Sequence, residues 1–261
     1  MKQEKQVKIE VTDGASIPDS SDKGLLNAWW VSFIGAAGII AYLVITKPDP
    51  YRDILLFIPD GIVVTFEVTI CSIFGALIIG LFTGLGRISS NRFINLVAST
   101  YVEVVRGIPL LVQLFYIYYA MGRVLQVPDM LSAIIAMSVC YGAYMGEVFR
   151  AGIESIDDGQ IEAARSLGFN KNETMFLVIL PQAWRTILPP VGNEFIALLK
   201  DSSLVSIIAV ADILRRGREF AAESFQYFET YTMIALVYLV ITLILSRAVS
   251  HMEERLSHYD R

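Results

Sequence analysis

Apolar residues arrive along this chain in blocks, each about as long as a bilayer is thick. Ala28 to Ile45 carries no charge, and Gly61 to Leu85 carries only Glu67. Leu96 to Met121 contains Glu103 and Arg106 and is interrupted by Pro109. Met130 to Val148 meets Glu147 near its end, Val191 to Ala211 holds Glu194, Lys200 and Asp201, and Thr230 to Ser246 is again uncharged. A helix needs about 20 apolar residues to cross the hydrocarbon core. The pattern therefore predicts an all-α polytopic membrane protein with six transmembrane helices, the last near the lower length limit. A buried helix of a soluble protein would keep a polar face, and the first and last blocks have none. Composition agrees. The chain is 54% hydrophobic with mean hydropathy +0.54, too apolar for an ordinary soluble domain.

Two of these spans are more than anchors. Gly107-Ile-Pro109 breaks the third, because proline lacks an N–H and clashes with the preceding turn. Such a break is tolerated in a membrane only where protein or a cavity satisfies the freed groups. The fifth carries Leu198-Leu-Lys-Asp-Ser-Ser203 at similar depth. Together they predict a polar interior and a transport path. Ionisable groups inside a membrane are costly and default to function. Glu103 and Arg106 are three apart and can pair on one helix face. Arg106 could instead meet Glu147, and either pair could serve the fold alone. Gln113, Asn193, Asp201, Ser202 and Ser203 are the polar groups expected to face the path. Lys200 and Asp201 point to different sides, so one can reach it while the other packs. Glu67 stays open between lining and pairing. Gly80-Leu-Phe-Thr-Gly84 allows close helix approach, within one chain in preference to a seam between chains.

Basic residues set orientation. With the N-terminus inside, the cytoplasmic segments hold thirteen Lys and Arg and the outer segments six. Both termini are therefore expected in the cytoplasm. Residues 1–27 read as a mobile cytoplasmic tail and 28–60 as an additional helix and outer loop. The core is 61–250, with a cytoplasmic loop over 150–190, and 251–261 form a second tail. Cys71 and Cys140 fall in apolar spans and read as packed thiols. His251 and His258 lack metal-ligand spacing, so no metal site is expected.

The loop over 150–190 has an internal grammar. Asp157-Asp158 offers a cap for a helix over Gln160 to Leu167. Gly168 stands where a left-handed stop is wanted. Asn170 with Glu173 has capping-box spacing, and Pro181 is expected to end the second helix. Gln160-Ile-Glu-Ala-Ala-Arg-Ser-Leu-Gly168 with Ile179-Leu-Pro181 resembles the EAA loop of ABC-importer permeases. Glu103-Val-Val-Arg-Gly-Ile-Pro-Leu-Leu-Val-Gln113 and Leu198-Leu-Lys-Asp-Ser-Ser-Leu-Val-Ser206 resemble the polar amino-acid branch of that family. The similarity covers roughly residues 61 to 250.

The resemblance implies a MetI-like ABC-importer transmembrane domain, a five-helix core plus an N-terminal helix, in the plasma (inner) membrane. It implies the permease subunit of an ATP-driven amino-acid importer working by alternating access. Glu162, Ala163, Ala164, Gly168, Leu180 and Pro181 would couple it to a cytoplasmic ATPase dimer. The other partners implied are an extracytoplasmic amino-acid-binding protein and a second permease subunit, identical or homologous. No cofactor is expected on this chain, which has no Gly-x-x-x-x-Gly-Lys-Ser/Thr motif. ATP and Mg belong to the partner ATPase. Two other functions compete with this one. An ion-coupled secondary transporter would need matched repeats, and none is evident. A non-transporting anchor would not need the broken, charged spans.

Overall fold

The computed structural model describes residues 27–257, and among these every regular element is a helix. α1 spans Ala28–Thr46, capped by the Asn27 side chain on the Trp29 N–H. α2 (Pro48–Phe57) runs almost directly into α3 (Pro59–Arg87). α4 (Arg92–Gly107) and α5 (Leu110–Tyr116) meet at a sharp bend. A π-turn (Ile117–Met121) and α6 (Gly122–Leu125) lead to α7 (Asp129–Glu154). α8 (Asp158–Ser166), α9 (Lys171–Glu173) and a second π-turn (Thr174–Ile179) lead into α10 (Leu180–Asp201). A 3-10 turn (Ser202–Ile208), α11 (Ile213–Ser224) and α12 (Tyr227–Ser257) follow. The expected N-terminal tail lies outside the described residues except Asn27, as do residues 258–261.

Among the described residues, four helical stretches are long and apolar enough to cross a membrane: Ala28–Thr46, Pro48–Arg87, Asp129–Glu154 and Tyr227–Leu256. The pair Arg92–Gly107 and Leu110–Ala120, bent by 102°, makes a fifth if taken as one span. The fifth expected span, Val191 to Ala211, has a different form. Its helix starts upstream at Leu180 and ends at Asp201. The Ser202 hydroxyl then donates to the Leu199 carbonyl at 2.7 Å, and the chain tightens into the 3-10 turn. Arg185, Glu194, Lys200 and Asp201 keep α10 below the apolarity of a lipid-facing span. Residues 251–257, expected as tail, continue α12.

The core is the α3–α7 pair, which run parallel. Glycines on each helix admit the other. A Cβ on Gly75 would meet Ser138, one on Gly80 would meet Met145, and one on Gly84 would meet Phe149. In return Gly142 faces Ile79, and Gly146 faces Thr83. The GxxxG pattern thus serves packing within the chain, as expected. Met137, Met145, Leu114 and Leu198 are fully buried around this seam. At one end Arg87 of α3 pairs with Glu147 of α7, which also holds Arg150. On that side the Lys171 ammonium donates to the Ser90 hydroxyl at 2.8 Å. At the opposite end of α3, Arg216 of α11 reaches Asp60 at 3.9 Å.

α1 is peripheral. Of its residues only Ala36 is buried. It packs antiparallel on α12, with the Trp29 indole donating to the Leu243 carbonyl at 2.8 Å and Arg247 over its ring. α2 packs against α12, burying Ile54 and Ile58 with Met233 and Val237, while Phe220 of α11 borders the cluster. Buried Asp212 caps α11, accepting from the Leu214 and Arg215 N–H groups at 3.2 and 2.9 Å. Burial pushes its carboxyl up to about 6, against the pull of those donors.

Candidate functional site

The bend between α4 and α5 follows from three residues. Gly107 has open space around its Cα, Ile108 is extended, and Pro109 caps α5 without an N–H to give. The interruption leaves carbonyls without helical donors, which membrane structure must satisfy. Gln113 does this. Its side-chain amide donates to the carbonyls of Val105 and Ile108, each at 2.8 Å, and approaches the Cys140 thiol at 3.7 Å.

The same bend opens a cavity of about 440 Å³. Arg106 through Leu110 form one wall, and Cys140, Tyr141 and Tyr144 of α7 a second. Glu194, Ala197 and Asp201 of α10 form the third. Their spacing of three and four residues puts them on one helix face, and the small Ala197 leaves room between the carboxylates. The Tyr141 hydroxyl donates to Asp201 at 2.8 Å, which fixes that carboxylate. The Arg106 guanidinium lies 5.2 Å from the Tyr144 ring centroid. One cation and two anions thus converge in a partly enclosed space. Such a set can take both a carboxylate and an ammonium.

Of the five residues expected on the path, Asp201 lines this cavity. Gln113 is buried in the bend and lines a neighbouring apolar cavity with Val112, Tyr116 and Val139. Ser202 is buried, Ser203 half-buried and Asn193 exposed, all outside the lining. The charged trio is also divided. Arg106 enters the cavity, while Glu147 is held by Arg87 and Arg150. Exposed Glu103 makes no ion pair among the described residues. The sequence reading missed Glu194, Tyr141 and Tyr144 as lining. The seven-residue interval from Glu194 to Asp201 was the available signal, since it marks one helix face.

The loop after α7 has the expected caps. Asp157 accepts from the Gly159 N–H at 2.8 Å. Gly168 sits at φ +89°, with its N–H on the Arg165 carbonyl and the Phe169 N–H on the Ala164 carbonyl. This crossed pair is the Schellman closure. Asn170 and Glu173 form the capping box. The second helix departs from expectation. It does not end at Pro181 but passes through the π-turn into α10, where Pro181 occupies the first turn. Ala163 is exposed, but Ala164 is 3% exposed and turned into its own chain. Glu162 and Pro181 are exposed and Leu180 is half-buried. The exposed apolar surface comes instead from Leu167, Phe169, Phe176, Leu177 and Trp184.

Residues 76–258 match the family model of binding-protein-dependent transport system inner membrane components. The glutamine transport system permease protein of Escherichia coli K12 is 36% identical over 200 residues, 76% of this chain and 91% of that protein. The L-cystine transport system permease protein of Bacillus subtilis 168 is 42% identical over 201 residues, 76% of this chain and 86% of that protein. A crystal structure of an amino acid ABC transporter with histidines aligns at TM-score 0.73 and 41% identity, covering 78% of this chain and 95% of that one. An inward-facing structure of the MetNI methionine ABC transporter aligns at TM-score 0.69 and 18% identity, covering 81% and 99%. That last likeness speaks for the fold.

Proposed function

We propose that this chain, which belongs to the family of binding-protein-dependent transport system inner membrane components, is the membrane-embedded subunit of an ATP-driven amino-acid importer. The observation that carries this reading is the cavity where Arg106 faces Glu194 and Asp201. An amino acid brings a carboxylate for the guanidinium and an ammonium for a carboxylate. The second carboxylate leaves a net negative site, which favours an amino acid with a cationic side chain. Relatives are named for glutamine, L-cystine and, in Bacillus subtilis, arginine transport.

Coupling follows from continuity of the backbone. From Lys171 to Asp201 the chain is helical without a break. A push on exposed Phe176 or Leu177 would therefore travel about 27 Å along one continuous helical segment, which includes Pro189 and Pro190, to Glu194. A cytoplasmic ATPase dimer that binds ATP and Mg would close against this surface on each of two permease subunits. That motion would alternate access to the cavity. The amino acid would arrive from an extracytoplasmic binding protein, and this chain would do no hydrolysis itself.

The test is uptake by the complete assembly in proteoliposomes loaded with ATP. Uptake should require the ATPase and the binding protein. Uptake driven by an ion gradient without the ATPase would overturn the reading in favour of secondary transport. Two narrower outcomes follow. Gly168→Val should leave complex yield nearly unchanged but uncouple hydrolysis from uptake by tenfold or more. The site has space for the side chain, yet a β-branched residue at positive φ must rearrange the turn. Normal uptake by this variant would show that the Schellman turn is dispensable for coupling. Cysteines at Lys171 and Arg216 should label from the cytoplasmic and outer faces of sealed cells, respectively. Labelling of both from one face would refute the orientation.

A further inference from the structure

We propose that the cavity between α11 and the first turns of α12 binds the phosphodiester of an anionic phospholipid. It measures about 460 Å³ and is lined by Arg215, Arg218, Glu219, Ala222, Tyr227 and Tyr231. It shares no lining residue with the cavity of Arg106, Glu194 and Asp201.

Charge comes first. Glu219 is already shared, with one oxygen 3.0 Å from Arg215 Nε and the other 3.2 Å from Arg216 Nη1. Arg218 is exposed and makes no ion pair among the described residues. The cavity thus keeps an unspent guanidinium, with two tyrosine hydroxyls able to donate beside it. A phosphodiester matches this, since guanidinium binds phosphate through a planar fork of donors.

Position selects lipid over other anions. Tyr227 and Tyr231 stand where α12 enters its uncharged apolar stretch, the depth at which tyrosine gathers at a membrane interface. Phe225 and Phe228, 80% and 78% exposed, lie on the same segment as these tyrosines. Below Tyr231 the exposed stripe of α12 continues through Ala235 and Leu239 at four-residue intervals. A lipid whose phosphate sits on Arg218 would lay an acyl chain along this stripe. A soluble anion would gain nothing from it.

The test uses the assembled, delipidated complex in neutral detergent. Native mass spectrometry would follow retention of dioleoylphosphatidylglycerol against dioleoylphosphatidylcholine. The phosphatidylglycerol should bind preferentially, and Arg218→Gln should weaken it about fivefold, the effect of one basic residue at a membrane surface. Arg218 is exposed, so folding should survive its loss. Arg52→Gln, an exposed charge removed from α2, should change nothing. Inorganic phosphate at millimolar concentration should not displace the lipid. Equal retention of the two lipids, or an unchanged Arg218→Gln, would overturn the proposal. Full displacement by phosphate would make this a free-anion site. Lost affinity for the binding protein with lipid retention unchanged would make it a protein-docking site. None of these outcomes depends on which amino acid is carried.

Discussion

Arg106→Gln should cut uptake about 100-fold at low substrate, with the complex assembled in normal yield. The guanidinium is the cation lining a cavity that also holds Glu194 and Asp201. Without it a bound α-carboxylate would sit beside two like charges with no counter-charge. Truncating one partner of a desolvated, hydrogen-bonded charge pair typically costs about 2–5 kcal/mol, and every 1.4 kcal/mol is about tenfold. Arg106 is exposed to the cavity and stacks on Tyr144, so its loss removes little packing. The carboxylates should behave differently. Asp201→Asn keeps the hydrogen bond from Tyr141 but removes one negative charge. It should lower uptake of arginine more than of glutamine, whereas Arg106→Gln should lower both alike. Uptake and detergent-extracted yield measured on the same preparations check this. Normal transport by Arg106→Gln would exclude a required carboxylate contact. An equal loss of arginine and glutamine uptake in Asp201→Asn would exclude the charge-selection argument.

Gly80→Leu should prevent accumulation of folded protein altogether. A Cβ at this position would stand 2.3 Å from the Met145 Cβ and 2.9 Å from its backbone carbonyl carbon. Neither can yield, because Met145 is fully buried in the core. The two helices would have to part, and the neighbouring contacts at Gly75, Gly84, Gly142 and Gly146 would open with them. Overpacking by one or two methylenes already costs about 1–3 kcal/mol. A leucine forced between backbones in contact exceeds that, against a total stability of about 5–15 kcal/mol. Gly38→Leu on α1 is the control. No atom lies within 4 Å of a Cβ there, so this variant should accumulate normally. Membrane abundance by immunoblot and monodispersity after extraction distinguish the two. A monodisperse Gly80→Leu complex would mean that α3 and α7 can repack without their close approach.

Much of this architecture was legible in the residues alone, for a physical reason. A bilayer demands long apolar runs and satisfied backbone groups, so spans, the break at Gly107-Ile-Pro109 and the intramembrane charges stand out from their surroundings. Caps and stops are equally local. Asp157, Gly168, Asn170 and Glu173 act on neighbours a few residues away, and each took the role its position implied. Partner choice is not local. Glu103 and Arg106 have ideal spacing for a pair, yet the approach of α3 to α7 gave Glu147 to Arg87 and the bend of α4 turned Arg106 into a cavity. Gln113 looked like a pathway residue because an amide in a membrane must find partners. Only the path of the chain around Pro109 showed that the Val105 and Ile108 carbonyls supply them. The second coupling helix runs past Pro181 because helical backbone continues through the π-turn into α10, which also accommodates Pro189 and Pro190 in its interior. Local chemistry therefore wrote the spans, the caps and the breaks into the sequence. Which charges meet, and what they enclose, depended on how α4, α7 and α10 pack, because those contacts join residues up to about a hundred positions apart.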